Sequence, residues 1–183
     1  MTNRQAFKLI LLDRDGVINR DSTNYIKSVD EFILIPESLL AIARLTASGY
    51  TIGVATNQSG VSRGYYTEEE LVAIHNKMLQ MVRSVGGQIE AIEYCTHLPT
   101  DNCSCRKPQP GMLNALAQRF DCSLHNVPFV GDRLSDVQAA LAVGAKPIMV
   151  LSSMTDLIEL QAYPHVPVYN SLAEYVDKLL LQS

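Results

Sequence analysis

The feature that most constrains the fold is a short apolar run, Leu9 to Leu12, which ends in two aspartates, Asp13 and Asp15. A run this short, rich in branched residues and without a polar interruption, predicts a strand buried on both faces, as in a parallel sheet. Such sheets bind ligands at the carboxyl ends of their strands. Because side chains two apart in an extended chain point the same way, both carboxylates are expected to face one small volume.

Two carboxylates this close repel each other unless a cation or a proton lies between them. We therefore expect a metal ion beside a nucleophile and an acid–base group. The simpler alternative is that the aspartates only cap the following helix, as aspartates after strands often do. An isolated Asp-x-Asp pair does not decide between the two, so the decision rests on the remainder of the chain.

Composition narrows the class of protein. The 183 residues suffice for one well-packed domain, and we expect residues 1–183 to form it. A net charge of −4 argues against nucleic-acid binding through a basic surface, and no apolar run reaches membrane-spanning length. The first residues lack the layout of a signal peptide, so a cytoplasmic protein is expected. In that reducing compartment the four cysteines are expected to be free or metal-bound.

Strand-like and helix-like segments alternate along the chain. Pro36 and the Thr67–Glu70 capping box mark two helix starts, and a stripe of apolar residues follows the second. That stripe, expected to pack in the core, is Leu71, Ile74, Met78, Met81 and Val85. Further strands are expected at 51–56, 89–94, 127–130, 147–151 and 166–169. The alternation predicts one doubly wound α/β domain on a parallel sheet, with residues 20–35 as an ordered loop above the aspartates.

Polar side chains follow the other strands at the same edge of the predicted sheet. Thr56 and Asn57 end the second strand, and Asp132 ends the fourth. Asp136 comes one helical turn later, and Lys107 follows the loop after the third strand. Carboxylates, a hydroxyl and an ammonium group at one edge predict a site for phosphoryl transfer with Mg²⁺, which prefers oxygen ligands.

Four metal-binding residues lie close together in the loop after the third strand. They are Cys95, His97, Cys103 and Cys105. Three thiolates and an imidazole predict a closed structural zinc site that braces the loop carrying Arg106 and Lys107. The alternative is a loop with incidental cysteines in a reducing compartment.

Other cysteines and histidines belong to no such pattern. Cys122 is expected to be a small buried hydrophobic residue. His75, His125 and His165 are expected at the surface or in packing.

Cations gather at the predicted ligand edge despite the acidic total. They are Arg14, Arg63, Arg106, Lys107 and Arg133. One phosphoryl group with Mg²⁺ does not need so many, so the surplus predicts a substrate with a second phosphate. The alternative is that individual arginines pair with neighbouring acidic residues.

The polar motifs resemble those of a known superfamily. Asp13-x-Asp15-Gly, Thr56, Lys107 and Gly131-Asp132-x-x-x-Asp136 resemble the four motifs of the haloacid dehalogenase superfamily of phosphatases. The resemblance implies that Asp13 attacks phosphorus, while Asp15 protonates the leaving group and then deprotonates water. It implies Mg²⁺ held by the Asp13 carboxylate, the Asp15 carbonyl and Asp132. It also requires that burial and the neighbouring charge raise the pKa of Asp15.

Longer motifs narrow the resemblance. Asp13-Arg14-Asp15-Gly16, Thr56-Asn57-Gln58-Ser59-Gly60 with Arg63-Gly64, and Cys105-Arg106-Lys107-Pro108 resemble the D-glycero-D-manno-heptose-1,7-bisphosphate 7-phosphatases, which act in making the heptose precursor of lipopolysaccharide. The resemblance implies removal of the 7-phosphate through an aspartyl-phosphate. The substrate contacts it implies are Asp21, Tyr25, Thr56, Asn57, Gln58, Ser59, Arg63, Arg106, Lys107 and Arg133. Thr96 replaces a usual proline and Arg133 a frequent lysine, which leaves the substrate anomer open.

The spacing of the motifs leaves no room for a cap domain between Asp15 and Thr56. An open site in a monomer is therefore expected, with specificity in the loops at 20–35, 58–66 and 95–107. A histidinol-phosphate phosphatase is the nearest alternative, although Arg63 suits an anionic substrate better than a cationic one. A phosphoacceptor signalling domain would need an acid after the third strand, where Tyr94 and Cys95 stand. A zinc-loop nucleic-acid module conflicts with the acidic charge balance.

Overall fold

A computed structural model describes residues 7–182 as a six-stranded sheet with helices packed against it. Neighbouring strands pair in parallel in the order β3-β2-β1-β4-β5-β6, as predicted for a doubly wound α/β fold. The strands are β1 (Lys8–Leu12), β2 (Tyr50–Asn57), β3 (Ala91–Cys95), β4 (Pro128–Gly131), β5 (Lys146–Val150) and β6 (Val168–Tyr169). Their ends differ from the predicted ones by at most two residues.

Six α-helices alternate with the strands within residues 7–182. They are α1 (Pro36–Ala47), α2 (Glu68–Ser84), α3 (Gly111–Arg119), α4 (Leu134–Ala142), α5 (Leu157–Leu160) and α6 (Leu172–Leu181). The predicted capping box is present, because Thr67 Oγ1 accepts from the Glu70 N–H while the Glu70 carboxylate accepts from the Thr67 N–H. The sequence did not predict α5, whose single turn is capped by Asp156.

The central strand β1 is buried on both faces, as its unbroken apolar run predicted. Ile10 and Leu12 pack into a cluster that includes side chains of α1, α2 and α6. Leu9 and Leu11 pack into a second cluster with side chains of α3 and α4. Alternate residues of one strand thereby hold a helix layer on each side of the sheet.

The apolar stripe of α2 follows a slightly different path from the predicted one. Leu71, Ile74 and Met78 are buried, but Met81 and Val85 are 41% and 38% exposed. Val82, eleven residues after Leu71, is fully buried instead. Eleven residues make almost a whole number of α-helical turns, so Val82 continues the buried face and Met81 turns away from it.

The strand order places β1 between β2 and β4, where the chain changes direction across the sheet. The N–H of Asp13 donates to the Val130 carbonyl at 2.8 Å, so the ends of β1 and β4 lie side by side. A crevice at such a reversal is where open α/β sheets bind ligands. Residues 13–35 form an ordered loop here, with Asn19 bridged to Asp15 and Leu34. Within residues 7–182, no helix is both long and apolar enough to cross a membrane.

Candidate active site

A cleft of about 460 Å³ lies beyond the carboxyl ends of β1 and β2. Most of the side chains predicted to bind substrate line it together with the two leading aspartates. These residues are Asp13, Asp15, Asp21, Tyr25, Thr56, Asn57, Gln58, Ser59, Arg106, Lys107 and Arg133. Arg63 is not part of the lining. The fully buried Asp132 is not part of it either, but its carboxylate lies close to that of Asp13, which is.

Lys107 is the charged centre of the cleft floor. Its Nζ lies 2.9 Å from Asp13 Oδ1, 2.6 Å from Asp136 Oδ1 and 2.8 Å from the Ala55 carbonyl oxygen. The ammonium group is therefore held by two ion pairs and one hydrogen bond to the backbone. Burial alone would lower the pKa of Lys107, but the two carboxylates outweigh it and raise that pKa, so the group stays charged.

The backbone of Lys107 is fixed as firmly as its side chain. The Asn57 side-chain amide donates to the Lys107 carbonyl and accepts from the Lys107 N–H, both at 3.0 Å. Asn57 ends β2, so this reciprocal pair ties the cysteine loop to the sheet at the point where the ammonium group enters the cleft.

Three carboxylates converge without enough protein cations to balance them. Ligand oxygens of Asp13, Asp132 and Asp136 all lie within 4.8 Å of one another. Burial first, and then the neighbouring carboxylates, raise the pKa of Asp13 to about 7 and that of Asp132 to about 8. Such shifts mean that the unpaired anionic forms are disfavoured until a cation joins them.

The surroundings of Asp132 fit a bound magnesium ion. Its buried Oδ1 has no hydrogen-bond partner among residues 7–182, while Oδ2 accepts from Ser152 Oγ at 2.5 Å. A Cβ at Gly16 would lie 2.1 Å from Asp132 Oδ2, so only glycine leaves room for this carboxylate beside β1. Asp136 instead accepts from the backbone N–H groups of Asp132 and Arg133, which positions the loop after β4.

Asp15 differs from Asp13 although it is only two residues away. Its carboxylate accepts from the Arg14 guanidinium, from Asn19 Nδ2 at 2.8 Å and from Gln58 Nε2 at 2.9 Å. Burial alone would raise the pKa of Asp15, but Arg14 and these donors outweigh it and lower that pKa. The expected upward shift is therefore wrong for this structure, because the neighbouring charge is a cation that pairs with the carboxylate.

Arg14 was predicted to be one of the cations that face the ligand, and for this residue the prediction is wrong. Its guanidinium is fully buried over the Phe32 ring and pairs with Asp15, so it does not reach the cleft. His75, which matched no pattern in the sequence, is buried on α2 with its Nε2 at 3.2 Å from Arg14 Nη1. Burial and the neighbouring Arg14 lower the pKa of His75 to about 3, so the ring is a neutral acceptor.

The cysteine loop brings its four predicted donors together. Cys95, His97, Cys103 and Cys105 each offer one atom within 4.8 Å of the others. Cys95 Sγ lies 3.7 Å from Cys103 Sγ, and His97 Nδ1 lies 3.2 Å from Cys105 Sγ. Four such donors around one point suit the tetrahedral coordination of zinc. Cys122 lies outside this group and is partly buried against the second core cluster.

The rim of the cleft carries the remaining predicted contacts. Asp21 forms an ion pair with Arg133 at 2.5 Å, so this arginine is partly neutralised by the protein. The Tyr25 ring lies 5.1 Å from the Tyr65 ring in an edge-to-face arrangement. The Arg63 guanidinium lies 6.0 Å from the centroid of the Tyr25 ring, which lines the cleft.

Several residues around the site gave no signal in the sequence. Ser152 and Thr155 follow β5, where Ser152 contacts the Asp132 carboxylate and Thr155 Oγ1 donates to the Asp132 carbonyl. Tyr66 donates to Gln58 Oε1 at 2.7 Å. Ser152 and Thr155 come just after a strand, as the predicted site residues do. That position was the one sequence feature that could have marked them.

The chain is similar in sequence to known phosphatases. Residues 104–175 match the HAD-hydrolase-like family model. The chain is 45% identical over 174 residues to the D-glycero-β-D-manno-heptose-1,7-bisphosphate 7-phosphatase of Pseudomonas putida, covering 94% of this chain and 99% of that protein. It is 51% identical over 145 residues to the enzyme of the same name from Neisseria meningitidis, covering 79% and 78%.

A solved structure agrees in fold as well as in sequence. The crystal structure of the D,D-heptose 1,7-bisphosphate phosphatase from B. bronchiseptica, complexed with magnesium and phosphate, matches with a TM-score of 0.89 at 44% identity. The match covers 97% of this chain and all of that one. The chain belongs to the heptose-1,7-bisphosphate 7-phosphatase family. The family resemblance that the motifs indicated is thereby confirmed, together with the parallel α/β fold.

This family assignment gives the clustered carboxylates a chemical context. The heptose-bisphosphate phosphatase from B. bronchiseptica was crystallised with magnesium and phosphate. In the present chain, Asp13, Asp132 and Lys107 form the arrangement that a divalent cation and a phosphoryl group require, namely oxygen ligands beside a buried cation. The fit is independent of the relatives, because it rests on the unpartnered Asp132 oxygen and the raised pKa values.

Proposed function

We propose that this chain hydrolyses the 7-phosphate of D-glycero-β-D-manno-heptose 1,7-bisphosphate. The β anomer is chosen because relatives at 45% and 51% identity are named for it. The observation that carries the proposal is the buried Asp13 carboxylate at the cleft floor, paired on one oxygen with Lys107 and set against Asp132. A carboxylate that a lysine holds by one oxygen, beside a second carboxylate able to bind a cation, suits nucleophilic attack on a phosphate ester through its other oxygen.

Asp13 is the proposed nucleophile. Its Oδ1 accepts from the Arg14 N–H and pairs with Lys107, while no donor among residues 7–182 contacts Oδ2. An oxygen without a donor keeps its lone pairs for attack on phosphorus, which forms an aspartyl-phosphate and breaks the bond to the sugar oxygen. Lys107 and Thr56 stabilise the charge on the equatorial phosphoryl oxygens during transfer.

Asp15 is the proposed acid and base. In the protein alone its lowered pKa keeps it ionised, which suits the second step, when it takes a proton from the attacking water. In the first step it must carry a proton to the departing sugar oxygen. The negative phosphoryl group raises the proton affinity of a carboxylate beside it, so substrate binding supplies the condition under which Asp15 is protonated.

Mg²⁺ would be held by the Asp13 carboxylate, the Asp15 backbone carbonyl and Asp132. When bound, it offsets the repulsion between these carboxylates and the anionic ester. Asp136 completes the acidic group but is engaged by Lys107 and two backbone N–H groups. We therefore assign it to positioning Lys107 and the loop after β4.

The sugar and its second phosphate are assigned to the rim. Arg106 and Arg133 line the cleft and can bind the distal phosphate, with Asp21 holding Arg133 in place. Tyr25 lies in the same wall, with Arg63 behind its ring. Asn57 and Ser59 complete the predicted contacts on the β2 side of the cleft.

The cysteine cluster is assigned a structural zinc ion, which leaves no coordination site for water once the four protein donors are in place. We also propose that residues 1–183 form one domain that acts as a monomer in the cytoplasm. Free thiols persist in that reducing compartment, which keeps the zinc donors competent.

The test is phosphate release from both anomers of the heptose bisphosphate and from histidinol phosphate, with added Mg²⁺. We expect one equivalent of phosphate per bisphosphate, the β anomer to react faster, and the product to retain its acid-labile anomeric phosphate. Faster turnover of histidinol phosphate would overturn the sugar assignment. Accumulation of a stable aspartyl-phosphate without release would point to a phosphoacceptor protein instead.

A further inference from the structure

Gln58 joins two groups that act in different parts of the proposed reaction. Its Nε2 donates to Asp15 Oδ2 at 2.9 Å and to Thr56 Oγ1 at 2.8 Å. Its side chain is almost fully buried, and its backbone N–H donates to the Cys95 carbonyl at 2.7 Å. Both amide hydrogens are therefore used inside the protein.

The orientation of this amide follows from the chemistry of its neighbours. The ionised Asp15 carboxylate can only accept, so the Gln58 atom that faces it must be the nitrogen. The oxygen then faces the hydroxyl of Tyr66, which donates to it at 2.7 Å. Burial raises the pKa of Tyr66 to about 12, so that hydroxyl keeps its proton.

The consequence for Thr56 concerns its single hydroxyl hydrogen. Thr56 Oγ1 already accepts from Gln58, and the Gln58 atom beside it is a donor that cannot accept in return. The Thr56 hydrogen is therefore free to be donated elsewhere, and Thr56 lines the cleft in which the phosphoryl group is proposed to bind.

Tyr66 is held at this place by the backbone around it. It is 5% exposed, and a Cβ at Gly60 would lie 2.2 Å from its Cε1 atom. Glycine at position 60 thus lets the Tyr66 ring pack directly against the loop that carries Gln58. The tyrosine has no place in the cleft lining and so acts only through the amide.

We propose that Tyr66 and Gln58 are positioning residues: Tyr66 locks the Gln58 amide in the one orientation that orders Asp15 and leaves the Thr56 hydroxyl hydrogen to the substrate. This proposal rests on the proposed function for the roles of Asp15 and Thr56. It also revises the predicted role of Gln58 from a substrate contact to a support. Without Tyr66 the amide oxygen loses its donor, so the amide is free to rotate and its N–H bonds to Asp15 and Thr56 are no longer held in place.

The test compares Tyr66→Phe, Gln58→Met and the double variant with the wild type, using any phosphate monoester that the wild type hydrolyses. Tyr66→Phe should lower kcat about tenfold with KM changed less than about threefold, because the group lost acts through another side chain. Gln58→Met should lower kcat at least as much. In the double variant, Tyr66→Phe should have no further effect, because the amide through which it acts is gone.

Tyr175→Phe is the matched control, since it removes the hydroxyl of another buried tyrosine on α6, outside the cleft lining. Its kcat should equal that of the wild type, and thermal unfolding should show all variants folded. Unchanged kcat in Tyr66→Phe, a smaller loss in Gln58→Met, or additive losses in the double variant would each overturn the proposal.

A second measurement does not depend on turnover. In ¹⁵N-labelled protein, the Gln58 side-chain amide should give two separate signals protected from solvent exchange, and Tyr66→Phe should abolish that protection. Unaltered signals in the variant would overturn the locking role even if no tested ester were hydrolysed. Loss of protection with no wild-type turnover of the sugar esters would instead reject the proposed substrate and keep the lock.

Discussion

The cleft and the cysteine cluster both gather metal-binding groups, but within residues 7–182 only those of the cleft form ion pairs with a cation of the protein. Lys107 lies between Asp13 and Asp136 and balances part of their charge before any metal binds. The four donors of the cysteine cluster contact one another and the Arg106 N–H, and no ion pair within residues 7–182 involves them. The sheet and Lys107 can therefore assemble the cleft, whereas we expect the cysteine loop to depend on the proposed zinc ion for a fixed shape.

The largest effect is expected in the cleft, from Asp13→Asn. The amide keeps the size of the side chain but removes the nucleophile, so phosphate release should fall by about 10⁴-fold or more. No phosphorylated protein should accumulate, as measured by intact mass after mixing with substrate. Retained activity in this folded variant would mean that another group attacks phosphorus. The cleft around Asp13 would then not be the reacting site that distinguishes it from the cysteine cluster.

The next effect is expected in the loop, from Cys103→Ser. Loss of one of four donors should remove zinc, and the loosened loop should misplace Arg106, lowering kcat/KM by about 10- to 100-fold. Metal analysis and steady-state kinetics measure the two changes. Cys122→Ser is the matched control, because Cys122 lies outside the cluster and should keep both zinc and activity. Full zinc content in Cys103→Ser would show that the ligand set is wrong.

A third prediction concerns the pH dependence of stability with zinc retained and magnesium removed. The raised pKa values, about 7 for Asp13 and about 8 for Asp132, mean that the folded state keeps protons that the unfolded state has lost. The free energy of unfolding should therefore fall by about 1–2 kcal/mol from pH 6.5 to 8. Below pH 6.5 the lowered pKa of His75 opposes this trend, because there the unfolded state binds the extra proton.

Denaturant unfolding at several pH values measures this change. Added Mg²⁺ should flatten the profile, because it replaces the protons between the carboxylates. A profile that stays steep with magnesium present would mean that the ion does not bind at Asp13 and Asp132. In that case the cleft would not be a magnesium site, and the cysteine cluster would be the remaining candidate metal site of the two.

The smallest effect is expected at the rim, from Arg63→Ala. The guanidinium lies over the Tyr25 ring and outside the cleft lining, so its loss should raise KM about threefold and leave kcat unchanged. Arg83→Ala is a matched control, since Arg83 is an exposed arginine in the last turn of α2. A large fall in kcat for Arg63→Ala would instead show that this arginine contacts the reacting phosphate, and the active site would then have to include it.

The sequence predicted well those features that depend on position along strands. Asp13, Thr56 and Asp132 each follow a strand, and the carboxyl ends of parallel strands meet at one edge, so their convergence could be expected. The cluster of Cys95, His97, Cys103 and Cys105 was equally visible, because four thiol and imidazole groups within a short loop are rarely accidental. The single turn of α5 gave no such signal, because four residues are too few to show a helical period.

What the sequence could not show was the direction in which long side chains point. Arg14 stands between two aspartates at the cleft, yet its side chain turns inward to His75 and the Phe32 ring. That inward turn reversed the expected pKa shift of Asp15, because the arginine pairs with it. The link between Tyr66 and Gln58 depends likewise on a turn of the loop at Gly60, which only the folded chain reveals.

The two hydrogen bonds between the Asn57 side chain and the Lys107 backbone have a consequence for how such enzymes can diversify. Because Asn57 at the end of β2 holds the Lys107 backbone, the residues between His97 and Cys103 can change in length or composition while the ammonium group stays beside Asp13, the proposed nucleophile. Evolution can therefore alter which sugar is admitted without rebuilding the reaction itself.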